Sequence, residues 1–230
     1  MKHIEKQTPE PTELNNFLLW VQSKETDFQT LTGEQRWAKF HKKQNHKNKL
    51  QDVILEEQGY ICAYCNRRIH KGLPETDEQL RIEHIEPKST YPDKTFDYYN
   101  LVGACYGDQR ENERTVPPRS LHCDVKKDDN EIPNGLFPTN INCETNILYD
   151  IEGMTSSKDN LIDTAINNIL NLNCVKLVND RKNVLFPLIE IETQEEAAIF
   201  ISAYKEKDDN NQYRPYSGVV INFLKNLFDL

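Results

Sequence analysis

With 230 residues, 28% of them charged, and a mean hydropathy of -0.76, the chain reads as soluble and long enough to bury a real core, in one large domain or two small ones. No apolar run approaches the ~20 residues of a membrane span, and Met1-Lys2-His3-Ile4-Glu5-Lys6 leads into no apolar signal core, so a cytoplasmic protein without a membrane partner is expected. The net charge of -9 weighs against nucleic acid as a partner until its distribution is read: residues 1–61 carry nine basic and nine acidic side chains, residues 62–127 eleven of each, and residues 128–230 eight against seventeen.

Pro9 and Pro11 mark an extended lead-in. Leu14, Phe17, Leu18 and Val21 recur at helical spacing and predict a short helix from about Glu13 to Gln22. Trp37, Phe40, Leu50, Val53 and Ile54 predict one longer helix from Gly33 or Glu34 to Gln58, stopped by Gly59. Within it, the run from His41 to Lys49 is either a solvated helix face or a basic strip against phosphates. Residues 128–154, punctuated by Pro, Gly and Asn, predict a loop-rich excursion with short strands at best. Leu161, Ile162, Ala165, Ile166, Ile169 and Leu170 predict an amphipathic helix over 160–172. Thr193-Gln194-Glu195-Glu196 is a capping box that opens another helix, and a last one starts at Ser217. No internal repeat is visible.

Six cysteines without an export signal point to metal or redox chemistry before disulfides. Cys143 and Cys174 lack partners at ligand spacing and read as ordinary buried thiols. Cys62 and Cys65 form a C-x-x-C knuckle that Cys105 and Cys123 can complete if the loop between them returns its ends together. Four thiolates suit a closed, tetrahedral structural zinc site, which would stabilise a stretch poor in apolar residues. His122 could replace Cys123 as ligand. A thioredoxin-like reading would need a βαβ context that residues 50–80 do not show.

A second set of residues is interleaved with the thiols. Ile82-Glu83-His84-Ile85 alternates as a short strand does, which sends Glu83 and His84 to opposite sides unless the strand bends or ends there. In order come C-x-x-C, Glu83-His84 with Pro87 just after, Asn100-Leu101, Cys105, Cys123-Asp124, and Lys127. That order resembles the HNH endonuclease pattern, a ββα-metal finger that hydrolyses phosphodiesters. The resemblance implies that His84 is the general base, that Glu83 and Asp124 hold one divalent ion, and that Asn100 steadies the loop and orients His84. Neutral imidazole suits proton abstraction near neutral pH, and a carboxylate at position 124, where the family usually has His or Asn, favours Mg²⁺ or Mn²⁺. The insertion between Cys105 and Cys123 leaves a second alignment open, with Gln109 or Asn112 at the third position. Arg67, Arg68, Arg119, Lys126 and Lys127 are candidate phosphate contacts, or simply solvated charges.

Further segments look like the PtuB-type HNH endonucleases of Septu anti-phage systems and related retron defence systems: residues 1–6, the entry Glu57–Cys65, the core Ile82–Ser89, Tyr149–Gly153 and Ile169–Asn173. The likeness implies an effector nuclease acting on nucleic acid, DNA by expectation. Its partners would be a PtuA-like ABC/SMC-type ATPase that gates it, and a retron reverse transcriptase with its DNA product. The acidic last part would dock on the ATPase. A non-catalytic, zinc-stapled module that binds nucleic acid or protein is the alternative, and a thiol redox protein the third. The expected architecture is mainly α with a small ββα-metal (HNH) finger, α+β overall. An N-terminal helical segment (1–61), a nuclease core with its zinc staple (62–130) and a C-terminal helical region (131–230) pack as one unit, with the helices at 34–58 and 160–172 flanking the finger.

Overall fold

Apolar spacing lays down the first helices. In the computed structural model, which describes residues 1–72, 79–109 and 119–230, Leu14, Phe17 and Val21 are buried along one side of α1 (Thr12–Gln22). Helix α2 (Gly33–His41) starts with a complete capping box, in which Gln35 N–H donates to Thr32 Oγ1 at 3.2 Å and Thr32 N–H to the Gln35 side chain at 3.0 Å. Helix α3 (Gln44–Gln58) stops at Gly59, whose φ of 57° is left-handed and where a Cβ would collide with the Tyr213 ring.

The single helix expected over 34–58 is therefore two. Backbone geometry breaks at Lys43, with φ -92° and ψ 74°. His41–Lys49 supplies no apolar anchor, and lysines three and four residues apart repel along a continuous helix. The break lets the Trp37–Phe40 and Leu50–Ile54 stripes both reach the interior. Phe17, Phe28, Trp37, Phe40 and Phe96 meet there as an aromatic cluster; Phe17 and Phe40 lie 5.0 Å apart and Trp37 and Phe40 4.9 Å between ring centroids.

Strands β1 (Arg81–His84) and β2 (Leu101–Ala104) pair antiparallel, with Glu83 opposite Val102 and His84 opposite Leu101. Helix α3 lies close on this hairpin. The Gln58 side chain donates to Gly103 O at 2.9 Å and accepts from Gly103 N–H at 2.6 Å, and a Cβ on Gly103 would sit 2.7 Å from Leu80 and 3.0 Å from Ile54. After the loop beyond β2, the short α4 (Cys123–Lys127) packs back towards β1, as the ion pair between Lys127 and Glu83 shows.

Residues 128–159 run through 3₁₀ turns and the two-residue strands β3 (Leu148–Tyr149) and β4 (Thr155–Ser156). The helix expected over 160–172 is α5 (Asn160–Thr164) followed by a π turn over Ala165–Ile169, and Leu172 is buried beyond its end. Helix α6 (Val175–Leu185) was not expected from periodicity. Part of its inner face is Arg181, which is buried and donates to Gly153 O at 2.6 Å and Leu172 O at 2.8 Å, so a charged residue occupies a core position. Helix α7 (Gln194–Lys205) begins at the Thr193/Glu196 capping box, and α8 (Ser217–Phe228) is the most apolar of the set. Helices with two small two-stranded sheets make an α+β arrangement among the described residues. No helix among them is long and apolar enough to cross a membrane.

Candidate active site and metal centre

The sulfurs converge. Cys62 and Cys65 sit on the turn after α3, where Cys62 N–H donates to Arg67 O at 2.8 Å and Ala63 N–H to Gly103 O at 2.9 Å. Cys105 follows β2 and Cys123 opens α4. All four Sγ atoms are buried and lie within 4.8 Å of one another, with Cys62–Cys123 at 3.9 Å and Cys65–Cys105 at 3.7 Å. Four sulfurs about 2.3 Å from a tetrahedral zinc ion stand roughly 3.8 Å apart, so these residues fit one such ion. His122, also buried, has Nδ1 3.1 Å from Cys123 Sγ and 3.9 Å from Cys105 Sγ, at the edge of the same cluster. Cys143 and Cys174 are buried elsewhere, and burial pushes the Cys143 thiol up to about 12.

The long connection from Cys105 to Cys123 is drawn in at a neck. His122 N–H donates to Gly107 O at 3.3 Å, Cys123 N–H to Leu170 O at 2.9 Å, and the Asn171 amide to Arg119 O and Leu121 O at 3.0 and 2.7 Å. Gly107 has φ 55°, and a Cβ there would collide with the His122 carbonyl, so only glycine allows this approach.

A second group gathers at the end of β1. Strand alternation predicts that Glu83 and His84 diverge, yet the strand ends at His84 and both line one cleft of about 400 Å³ together with Asp124. The His84 ring stands edge-on to Trp37 at 4.5 Å between centroids, and its Nε2 lies 3.0 Å from Thr95 O. A carbonyl only accepts, so Nε2 carries the hydrogen and Nδ1 the lone pair. Burial depresses the imidazole to about 4, against the opposing pull of the Thr95 carbonyl, so the ring is neutral at neutral pH. Asn100 reaches His84 only through the loop. Its amide donates to Glu86 O at 3.0 Å and Lys94 O at 3.2 Å and accepts from Glu86 N–H at 2.8 Å, holding the segment that delivers Thr95.

Glu83 and Asp124 are neighbours. Burial first, and then the Asp124 charge, push the Glu83 carboxyl well above its usual range, opposed by Lys127 Nζ 2.9 Å away. Tyr64 Oη donates to Glu83 Oε1 at 3.1 Å, and Arg81 Nε lies 2.5 Å from Asp124 Oδ2. Two buried carboxylates side by side, each met by a cation, suit a site for a divalent ion.

Three of the five cations expected to face phosphates turn elsewhere. Lys127 is fully buried, holding Glu83 and donating to His84 O at 3.1 Å. Arg67 is nearly buried between Asp108 at 3.7 Å and Asp180 at 3.8 Å, and Arg68 donates to the Gly59, Tyr60 and Tyr213 carbonyls. Each is turned towards acceptors within the protein rather than towards a ligand. Arg119 is exposed and Lys126 half-buried. Gln109 lines the same clefts as Asp124, and Asn112 lies outside the described residues. Sequence reading missed Arg81, Tyr64 and Trp37. Arg81 was accessible, since it stands two residues before Glu83 on the same strand face. Nothing in the sequence links position 37 to position 84. A wider cleft of about 560 Å³ extends the site past Trp37, His41, Lys47, Lys88 and Tyr106.

No protein-family model matches the chain. It is 26% identical over 190 residues, 65% of this chain and 70% of the relative, to the Escherichia coli protein described as "Retron Ec83 putative HNH endonuclease". It is 28% identical over 191 residues, 79% of this chain and 81% of the relative, to "Retron Vc95 putative HNH endonuclease" of Vibrio cholerae serotype O1 biovar El Tor. The buried sulfurs, paired carboxylates and neutral imidazole thus occur in a chain whose relatives are described as retron HNH endonucleases.

Proposed function

We propose that this chain is a metal-dependent HNH endonuclease, with β1, β2 and α4 as its ββα finger. The observation that carries the reading is the His84 ring: buried, fixed by Thr95 at Nε2, and sharing a cleft with the Glu83–Asp124 pair. Nδ1 of His84 takes the proton from the attacking water, Thr95 O holds the ring while it does so, and Asn100 holds the loop that carries Thr95. Cys62, Cys65, Cys105 and Cys123 hold structural zinc. Glu83 and Asp124 hold Mg²⁺ or Mn²⁺, which when bound supplies positive charge against the charge that builds on the phosphate and leaving oxygens. His41, Lys47 and Lys88 on the cleft wall, with Lys126 and Arg119, orient the nucleic-acid backbone.

The relatives' descriptions place them with retrons; with the sequence resemblance to defence-system nucleases, we extend this to a role in anti-phage defence, and DNA is the target we favour. In that setting residues 62–130 are the nuclease core and residues 1–61 its helical support. The acidic C-terminal region, residues 131–230, offers a surface to a PtuA-like ATPase that gates cleavage, alongside a reverse transcriptase and its DNA product. The test is a cleavage assay with Mg²⁺ or Mn²⁺ on DNA and RNA, with and without the ATPase. His84→Ala should lower the rate by about 10²–10⁴-fold with zinc content retained and the chain still folded at the assay temperature. Equal cleavage by wild type and variant would remove His84 as the base, and no cleavage by either would leave a zinc-stapled binding module as the reading.

A further inference from the structure

The sulfur cluster and the carboxylate pair are joined through one side chain. Tyr64 stands inside the Cys62–Cys65 knuckle, is fully buried, and donates its hydroxyl hydrogen to Glu83 Oε1 at 3.1 Å. Lys127 Nζ lies 2.9 Å from that same oxygen. Two donors on one oxygen fix the plane of the Glu83 carboxylate, and the Tyr64 donor cannot shift alone. The residues on either side of it, Ala63 and Cys65, are tied to Gly103 O and to the sulfur cluster. The hydroxyl is neutral, so its contribution is orientation without change in the charge of the site, unlike that of Lys127.

We propose that Tyr64 is a positioning residue that carries the order of the thiol centre into Glu83 and thereby sets the affinity of the hydrolytic site for its divalent ion. This rests on the assignment of Glu83 and Asp124 as ligands. Removing a hydrogen-bond partner of a ligating carboxylate costs about 10–100-fold in metal affinity.

The experiment measures Mn²⁺ binding by calorimetry to the full zinc-loaded chain as wild type, Tyr64→Phe and Glu83→Gln. Tyr64→Phe should bind roughly tenfold more weakly with zinc content and thermal midpoint retained. Its cleavage at low Mn²⁺ should recover when Mn²⁺ is raised, whereas that of His84→Ala should not. Wild-type affinity in Tyr64→Phe overturns the proposal. Mn²⁺ binding that survives Glu83→Gln overturns it too, by a different route, because the ligand assignment has then failed. Should Tyr64→Phe lose its zinc, tyrosine difference absorbance on adding Mn²⁺ serves in its place. It is read in a Tyr106→Phe background, because that ring also lines the cleft. A shift abolished by Glu83→Gln supports the link, and no shift on Mn²⁺ binding refutes it.

Discussion

The thiol centre and the carboxylate–imidazole centre are built from the same pieces, the knuckle, the hairpin and the start of α4, yet they are satisfied in opposite ways. Around the sulfurs four equivalent groups converge and are 0–4% exposed. Glu83, His84 and Asp124 are nearly as buried, at 6%, 4% and 9%, but they border a cleft and their charges are met by unlike partners: Lys127 and Tyr64 on one carboxylate, Arg81 on the other. A closed set of ligands contributes folding free energy. Like charges buried together oppose folding, and such pairs concentrate where chemistry or binding needs them. In the proposed assignment adjacent residues, Cys123 and Asp124, thus serve opposite ends.

The comparison breaks most completely if the sulfurs are disabled. Cys105→Ser, or exhaustive chelation, should lower the thermal midpoint by about 10 °C or more, and Mn²⁺ binding should disappear with it because Asp124 follows Cys123 directly. Metal analysis with thermal unfolding checks this; an unchanged midpoint would remove the thiols from the support of the fold. Acid sharpens the other side. The folded chain refuses a proton on His84 until about pH 4, while the unfolded chain accepts it near the ordinary imidazole value of 6.5, so this residue stabilises the fold fully above that value and loses its contribution as pH falls through 4. The difference amounts to roughly 3 kcal/mol. Urea unfolding of wild type and His84→Gln at pH 7 and pH 4 should show that gap closing with acid, and parallel slopes would mean that the imidazole is not held neutral. The smallest effect is on the rim. Lys126→Ala should leave stability within about 0.5 kcal/mol, weaken nucleic-acid binding a few-fold and reduce the log–log salt slope by about one. An unaltered slope in filter binding would remove Lys126 from the phosphate contacts.

The convergence of the four sulfurs was legible because ligand spacing constrains where a chain can return, and the capped helices because Thr193 and Glu196 state their own boundary. What escaped was set by tertiary partners. Lys127 looks like a surface cation until α4 packs on β1 and its ammonium finds Glu83 and the His84 carbonyl. Helix α6 hides because Arg181 sits where a periodic pattern needs an aliphatic residue, its charge spread over backbone carbonyls. The break at Lys43 has no proline or glycine to announce it, and only the two apolar stripes seeking one core reveal it. The pairing of Arg81 with Asp124 joins residues on either side of a long connection, which no local pattern can anticipate.

That connection is held at its neck by Gly107, His122 and the Asn171 amide. Closure there is independent of how many residues lie beyond it, and lengthening a loop costs little once its ends are pinned. Insertions and deletions past the neck can therefore accumulate in a lineage without moving Cys123 or Asp124 out of place. A tag or a grafted binding loop inserted between residues 109 and 119 should therefore leave Cys123 and Asp124 in register.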